Sequence, residues 1–114
     1  VKITVRGFES WLLQQKPNSI VGNVRDNQDC PIYRWLAPKH NEIEHVTIAQ
    51  VRGKKPKTGV QYVMAELPTQ LVEWWHEINH FLDFDIDGSF DCNVTREQAL
   101  ACLYRVMLRQ AGLL

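Results

Sequence analysis

Residues 67–84, "LPTQLVEWWHEINHFLDF", decide how the carboxy-terminal half is read. Pro68 suits a first helical turn and Thr69 beside it can cap one. Leu71, Trp74, Trp75, Ile78, Phe81 and Leu82 then fill one face at helical spacing, so an amphipathic helix is predicted. A second follows in residues 94–110, "VTREQALACLYRVMLRQ". There Thr95 and Gln98 stand at capping-box spacing, and Ala99, Leu100, Leu103, Val106 and Met107 are apolar.

Upstream, residues 44–52 ("EHVTIAQVR") and 59–67 ("GVQYVMAEL") alternate apolar and polar side chains. Joined by "GKKPKT", they predict an antiparallel β-hairpin with a basic tip. Nearer the amino terminus, "VKITVRG" alternates as a short strand over residues 2–6. In "FESWLLQQ", Phe8, Trp11, Leu12 and Gln15 repeat as a short helix ending before Pro17. Residues 17–29 are rich in Asn, Asp, Gly and Ser and read as an irregular connection. In "DCPIYRWLAPKH", Asp29 is placed to cap a second short helix carrying Pro31, Ile32, Trp35 and Leu36, which Pro38 stops. The expected order is β-α-α-β-β-α-α, one small α+β domain over residues 1–114.

A chain of 114 residues, 45% apolar, can bury a core without disulfides or a structural metal. No apolar run reaches the roughly 20 residues of a membrane span, and the first residues lack a secretory apolar region. Cys30, Cys92 and Cys102 are an odd number with no CxxC pair, which fits free thiols and a cytoplasmic setting. Net charge is zero but divided: residues 1–64 carry ten Lys/Arg against five Asp/Glu, residues 65–114 three against eight. A split of that kind orients a partner or a second copy, and gives no support to a dedicated nucleic-acid binder.

Two metal signatures lie side by side in residues 76–88, "HEINHFLDFDIDG". HEINH fits the HExxH pattern, in which two His one turn apart reach one Zn²⁺ and the intervening Glu activates its water. In this it resembles the gluzincin metallopeptidases over residues 43–101. The resemblance implies a zinc site of His76, His80 and Glu97, the last on the following helix, with Glu77 as general base. The helical wheel argues against it: at about 100° per residue, His76 and His80 fall roughly 140° and 180° from Leu71, opposite the apolar face. Zinc is therefore the alternative, and no cofactor the first expectation.

Asp83, Asp85 and Asp87, followed by Gly88, open like an EF-hand calcium loop, but its twelfth position is Val94 where a bidentate Glu is needed. Cys30, at a predicted helix start, is a candidate for a lowered thiol pKa, though packing is the simpler role. Two candidate contact surfaces remain. One is the pair Trp74 and Trp75, which cannot both face the core without special packing. The other is the basic hairpin stretch Arg52, Lys54, Lys55 and Lys57. The sequence thus points to a small non-enzymatic cytoplasmic protein acting through protein contacts, with a partner or as a homodimer. The alternatives are the gluzincin-like peptidase and a nucleic-acid accessory protein using residues 52–57. No membrane association is expected.

Overall fold

The amino-terminal run does not form the strand expected over residues 2–6. In the computed structural model, which describes residues 2–82 and 92–114, Thr4 caps a helix, α1 (Val5–Gln14). Its hydroxyl accepts from the Gly7 N–H at 3.0 Å. Ile3, before the cap, and Phe8, in the first turn, both pack into the core, the arrangement of a hydrophobic staple. Alternation over five residues is also what a cap between two apolar residues looks like, and burial of Phe8 and Leu12 settles it for the helix.

Residues 17–29 are not irregular throughout. Asn18 turns the chain with φ 63°, and Ile20–Asn23 form β1. This strand pairs antiparallel with β5 (Asn93–Thr95), Ile20 opposite Thr95 and Asn23 opposite Asn93. Gly22 is required by close approach: a Cβ there would lie 2.6 Å from the Pro31 nitrogen and 2.7 Å from the Asp29 carbonyl oxygen. The next helix, α2 (Pro31–Leu36), runs into a 3₁₀ turn at Ala37–Lys39. Its cap is Cys30, whose sulfur accepts from the Tyr33 N–H at 3.4 Å. Asp29, the expected cap, instead accepts two hydrogen bonds from Arg34, at 2.7 and 3.1 Å.

A three-stranded antiparallel sheet follows, with order β2 (Ile43–Val46), β3 (Gln50–Lys54) and β4 (Gln61–Glu66). The run 44–52 was expected as one strand and is two. The Thr47 hydroxyl accepts from the Ala49 and Gln50 N–H groups, and the Thr47 N–H donates to the Gln50 carbonyl at 2.8 Å. This reversal is held by a side-chain hydroxyl, without the glycine or proline that usually marks a turn. The expected hairpin is present as β3–β4, with Lys54 opposite Gln61 and Arg52 opposite Val63. Beyond them a bulge brings Val51 opposite Ala65.

The two predicted carboxy-terminal helices form: α3 (Thr69–Leu82) and α4 (Arg96–Gln110). α4 opens with the Thr95–Gln98 capping box. Trp74, Leu71 and Ile78 of α3 and Ala99, Leu103 and Val106 of α4 are fully buried, together with Phe8 and Leu12 of α1 and Val46 and Val51 of the sheet. The protein is a small compact α+β domain in which one apolar cluster joins the helices to both sheets. Among the described residues no helix is long and apolar enough to cross a membrane.

Candidate functional site

The histidine motif lies on α3 where that helix packs against α4. His76 and His80 are both exposed, on the side of α3 away from buried Leu71, Trp74 and Ile78, as the wheel predicts. His80 lines a cavity of about 350 Å³ with Glu77, Phe81, Ala101, Cys102 and Arg105. Glu77 is not poised over a metal. Its two carboxylate oxygens accept from Arg105 at 2.8 Å and Arg109 at 3.0 Å, one each. Burial pushes its pKa up, and the two guanidiniums outweigh that and hold it below the ordinary carboxylate value. A carboxylate so stabilised is a poor proton acceptor and a good structural anion.

Glu97 faces elsewhere. Its carboxylate accepts from the Asn18 N–H and from Arg96, both at 2.8 Å, at the junction of α4 with the segment leading into β1. Burial raises its pKa, and Arg96 and the Asn18 N–H more than compensate, so it too is lowered. The structure therefore does not bring His76, His80 and Glu97 together. Among the described residues no group of three or more His, Cys, Asp or Glu side chains is disposed to hold a metal ion. Asp83, Asp85 and Asp87, the calcium candidates, lie outside the described residues.

Cys30 and Cys102 are buried, and burial disfavours their thiolate forms. Burial pushes Cys30 up to about 12, overriding the hydrogen bond from the Tyr33 N–H, so the helix start does not yield a thiolate. Cys102 is pushed up to about 11 by burial and by the nearby Glu77 charge.

Trp74 and Trp75 are not an exposed aromatic edge. They are 0% and 3% exposed and meet edge to face at 5.6 Å, and this removes them as contact residues. Both indoles fit because Trp74 also packs edge-on against Phe8, at 5.0 Å, and its N–H donates to the Ala99 carbonyl at 3.0 Å. Among the described residues the buried Trp75 N–H has no hydrogen-bond partner.

The hairpin is the contrasting surface. Lys54, Lys55 and Lys57 are exposed, and none of them takes part in an ion pair among the described residues. The Lys55 ammonium sits 5.0 Å above the Tyr62 ring. Arg52 is set apart from these lysines: half-buried within β3, it donates to the Gln50 side chain at 3.1 Å. Val60 and Val63 are 58% and 41% exposed beside the tip, a feature missed in the sequence because both sit in a run that reads as half-buried strand. No strand among the described residues pairs with the outer edge of β4.

Set against known proteins, the chain matches no family model, no curated protein and no solved structure.

Proposed function

We propose that the protein is a non-enzymatic contact module of the cytoplasm that holds a partner protein on its β3–β4 hairpin. The partner offers an acidic segment in extended form. Its backbone pairs with the open edge of β4, its alternate side chains meet Val63 on one face of the sheet and Val60 on the other, and its carboxylates meet Lys54, Lys55 and Lys57. One observation carries the reading: three exposed lysines that form no ion pair among the described residues lie on a hairpin whose outer strand is unpaired and which exposes Val60 and Val63, with Glu42 and Glu44 lining a cavity beside Lys54 and Lys55. Edge strands left open accept a further strand through main-chain hydrogen bonds, with side-chain pockets and charge supplying selectivity. Arg52 belongs at the border of this surface, since Gln50 already engages it.

The test uses a labelled peptide alternating Asp and Val, followed by fluorescence anisotropy. Saturable binding is expected, weakening steeply with salt and lost when Lys54, Lys55 and Lys57 are all changed to Glu. Binding that survives the triple change would remove the hairpin as the docking site. Light scattering across concentration separates the homodimer: growth in mass that the same three changes abolish would make the occupant a second copy. Preference of the hairpin for a single-stranded oligonucleotide over the peptide would replace the protein partner with a nucleic acid.

A further inference from the structure

The largest concentration of unused chemistry lies between α1 and the end of α2. A cleft of about 490 Å³ opens there, lined by Lys2, Ser10, Trp11 and Gln14 on one side and by Trp35 and Lys39 on the other. Its volume falls within the range of small-molecule sites. None of the lining residues is acidic, and neither lysine has an ion-pair partner among the described residues. Two ammonium groups on one cleft whose wall holds no carboxylate favour an anion there, although Lys39 also borders a second cavity with Glu42.

The walls say what else the ligand carries. Trp11 lies nearly parallel to Phe8, at 11° with centroids 6.2 Å apart, and Phe8 packs against buried Trp35 at 5.4 Å, so the core backs the half-buried Trp11 indole before anything binds. Gly7 sets how closely α1 approaches Trp35: a Cβ there would stand 3.0 Å from the indole Cζ2 and 3.0 Å from the Thr4 hydroxyl oxygen. Trp11, half-buried and backed by Phe8, offers apolar indole surface to a planar ring at low entropic cost, while Trp35 is buried beneath the cleft. Ser10 and Gln14, on the outward face of α1, add a hydroxyl and an amide able both to donate and to accept.

Cations, a held aromatic wall and paired donor–acceptor groups together match one ligand class, a phosphate joined to a heteroaromatic ring. We infer that this cleft is a nucleotide-binding site, with Lys2 and Lys39 on the phosphate, the base against the half-buried Trp11, buried Trp35 forming the floor behind it, and Ser10 and Gln14 on the base edge or sugar. Base stacking on aromatic side chains beside basic groups is how proteins hold single-stranded nucleic acid, and the same contacts serve one nucleotide. The inference is independent of the hairpin reading, because it rests on other residues and is tested with other variants.

Isothermal titration calorimetry and tryptophan fluorescence on the whole chain test it, with adenosine monophosphate, ribose 5-phosphate, inorganic phosphate and a ten-nucleotide oligodeoxyadenylate as probes. Adenosine monophosphate is expected to bind saturably and to quench the tryptophan emission. The double variant Lys2→Ala, Lys39→Ala, both exposed positions, should weaken it about tenfold or more, with the circular dichroism spectrum unchanged. Trp11→Phe should reduce the quench. Binding of the oligonucleotide much tighter than the monophosphate would assign the site to a single strand, and equal affinities to a free nucleotide. Ribose 5-phosphate or phosphate binding as well as adenosine monophosphate would overturn the base contact. Failure of every probe at millimolar concentration, or affinity unchanged in the double variant, would overturn the site.

Discussion

The α3–α4 pair and the β3–β4 hairpin both carry charged side chains in quantity, and they use them in opposite ways. Between the helices nearly every charge has a partner. Glu77 is held by Arg105 and Arg109, and the Glu73 carboxylate accepts from Gln110 at 3.2 Å. On the hairpin Lys54, Lys55 and Lys57 form no ion pair among the described residues, although Glu42 and Glu44 line a cavity with Lys54 and Lys55. A charge that already has its counter-ion fixes structure, whereas one held in water beside exposed apolar surface is available to another molecule. Glu77, the central residue of the motif that looks most like chemistry in the sequence, is thus engaged in holding the two helices together.

The strongest way to sharpen this comparison is to open the helical half. Trp74→Ala removes the largest fully buried side chain and should destabilise by about 3–5 kcal/mol, read as a lower urea midpoint. Trp74→Phe and Trp75→Phe lose the same volume. Only the first loses a hydrogen bond, to Ala99, so it should cost about 1 kcal/mol more than the second. Equal costs would show that the Ala99 contact contributes nothing.

A smaller effect tests the ionic clasp. Glu77→Gln should cost about 0.5–1 kcal/mol at neutral pH, discounted because both arginines are substantially exposed. The Glu77 pKa lies below its ordinary 4.5 when folded, so the clasp contributes fully above the carboxylate range and is lost as pH falls through the folded value. The wild type should therefore lose stability in acid more steeply than Glu77→Gln, and the two should converge at low pH. A constant gap between them down to acid would mean that Glu77 acts by packing alone. For the same reason zinc should bind no more tightly to the wild type than to His80→Ala, as titration calorimetry can show.

The smallest expected effect completes the contrast. Changing Lys54, Lys55 and Lys57 together to Glu should alter the urea midpoint by less than about 0.5 kcal/mol equivalent, because no folded contact of weight depends on them beyond Lys55 over Tyr62. A large loss would place the hairpin with the structural charges and end the distinction.

Much of the helical half was legible. The apolar stripe of α3 and the Thr95–Gln98 box of α4 are local signals, and local signals survive folding. What was not legible depends on distant partners. β1 becomes a strand because β5 lies beside it, and Thr47 turns the chain by a hydroxyl bond with no Gly or Pro to announce it. Thr4 shows the limit of short alternations, since one cap residue converts an apparent strand into a helix start. At the sites the missing information was spatial. Spacing alone places Glu97 within reach of HEINH, and only packing shows its carboxylate turned to Asn18 and Arg96. The cleft lysines, Lys2 and Lys39, are 37 positions apart and leave no motif.

The β1–β5 ladder bears on how the molecule comes into being. Ile20 meets Thr95 across 75 positions, and Arg96 donates its N–H to the Ser19 carbonyl at 2.9 Å in the same joint. Closing so long a loop carries its entropic cost before the contacts reward it, so this joint should form late and set the pace of refolding. During synthesis Val21, buried in the finished protein, must wait for the β5 residues to leave the ribosome. Until then Ile20 and Val21 stand without their partner strand, and unpaired apolar edges of that kind are where a partly folded chain is prone to aggregate.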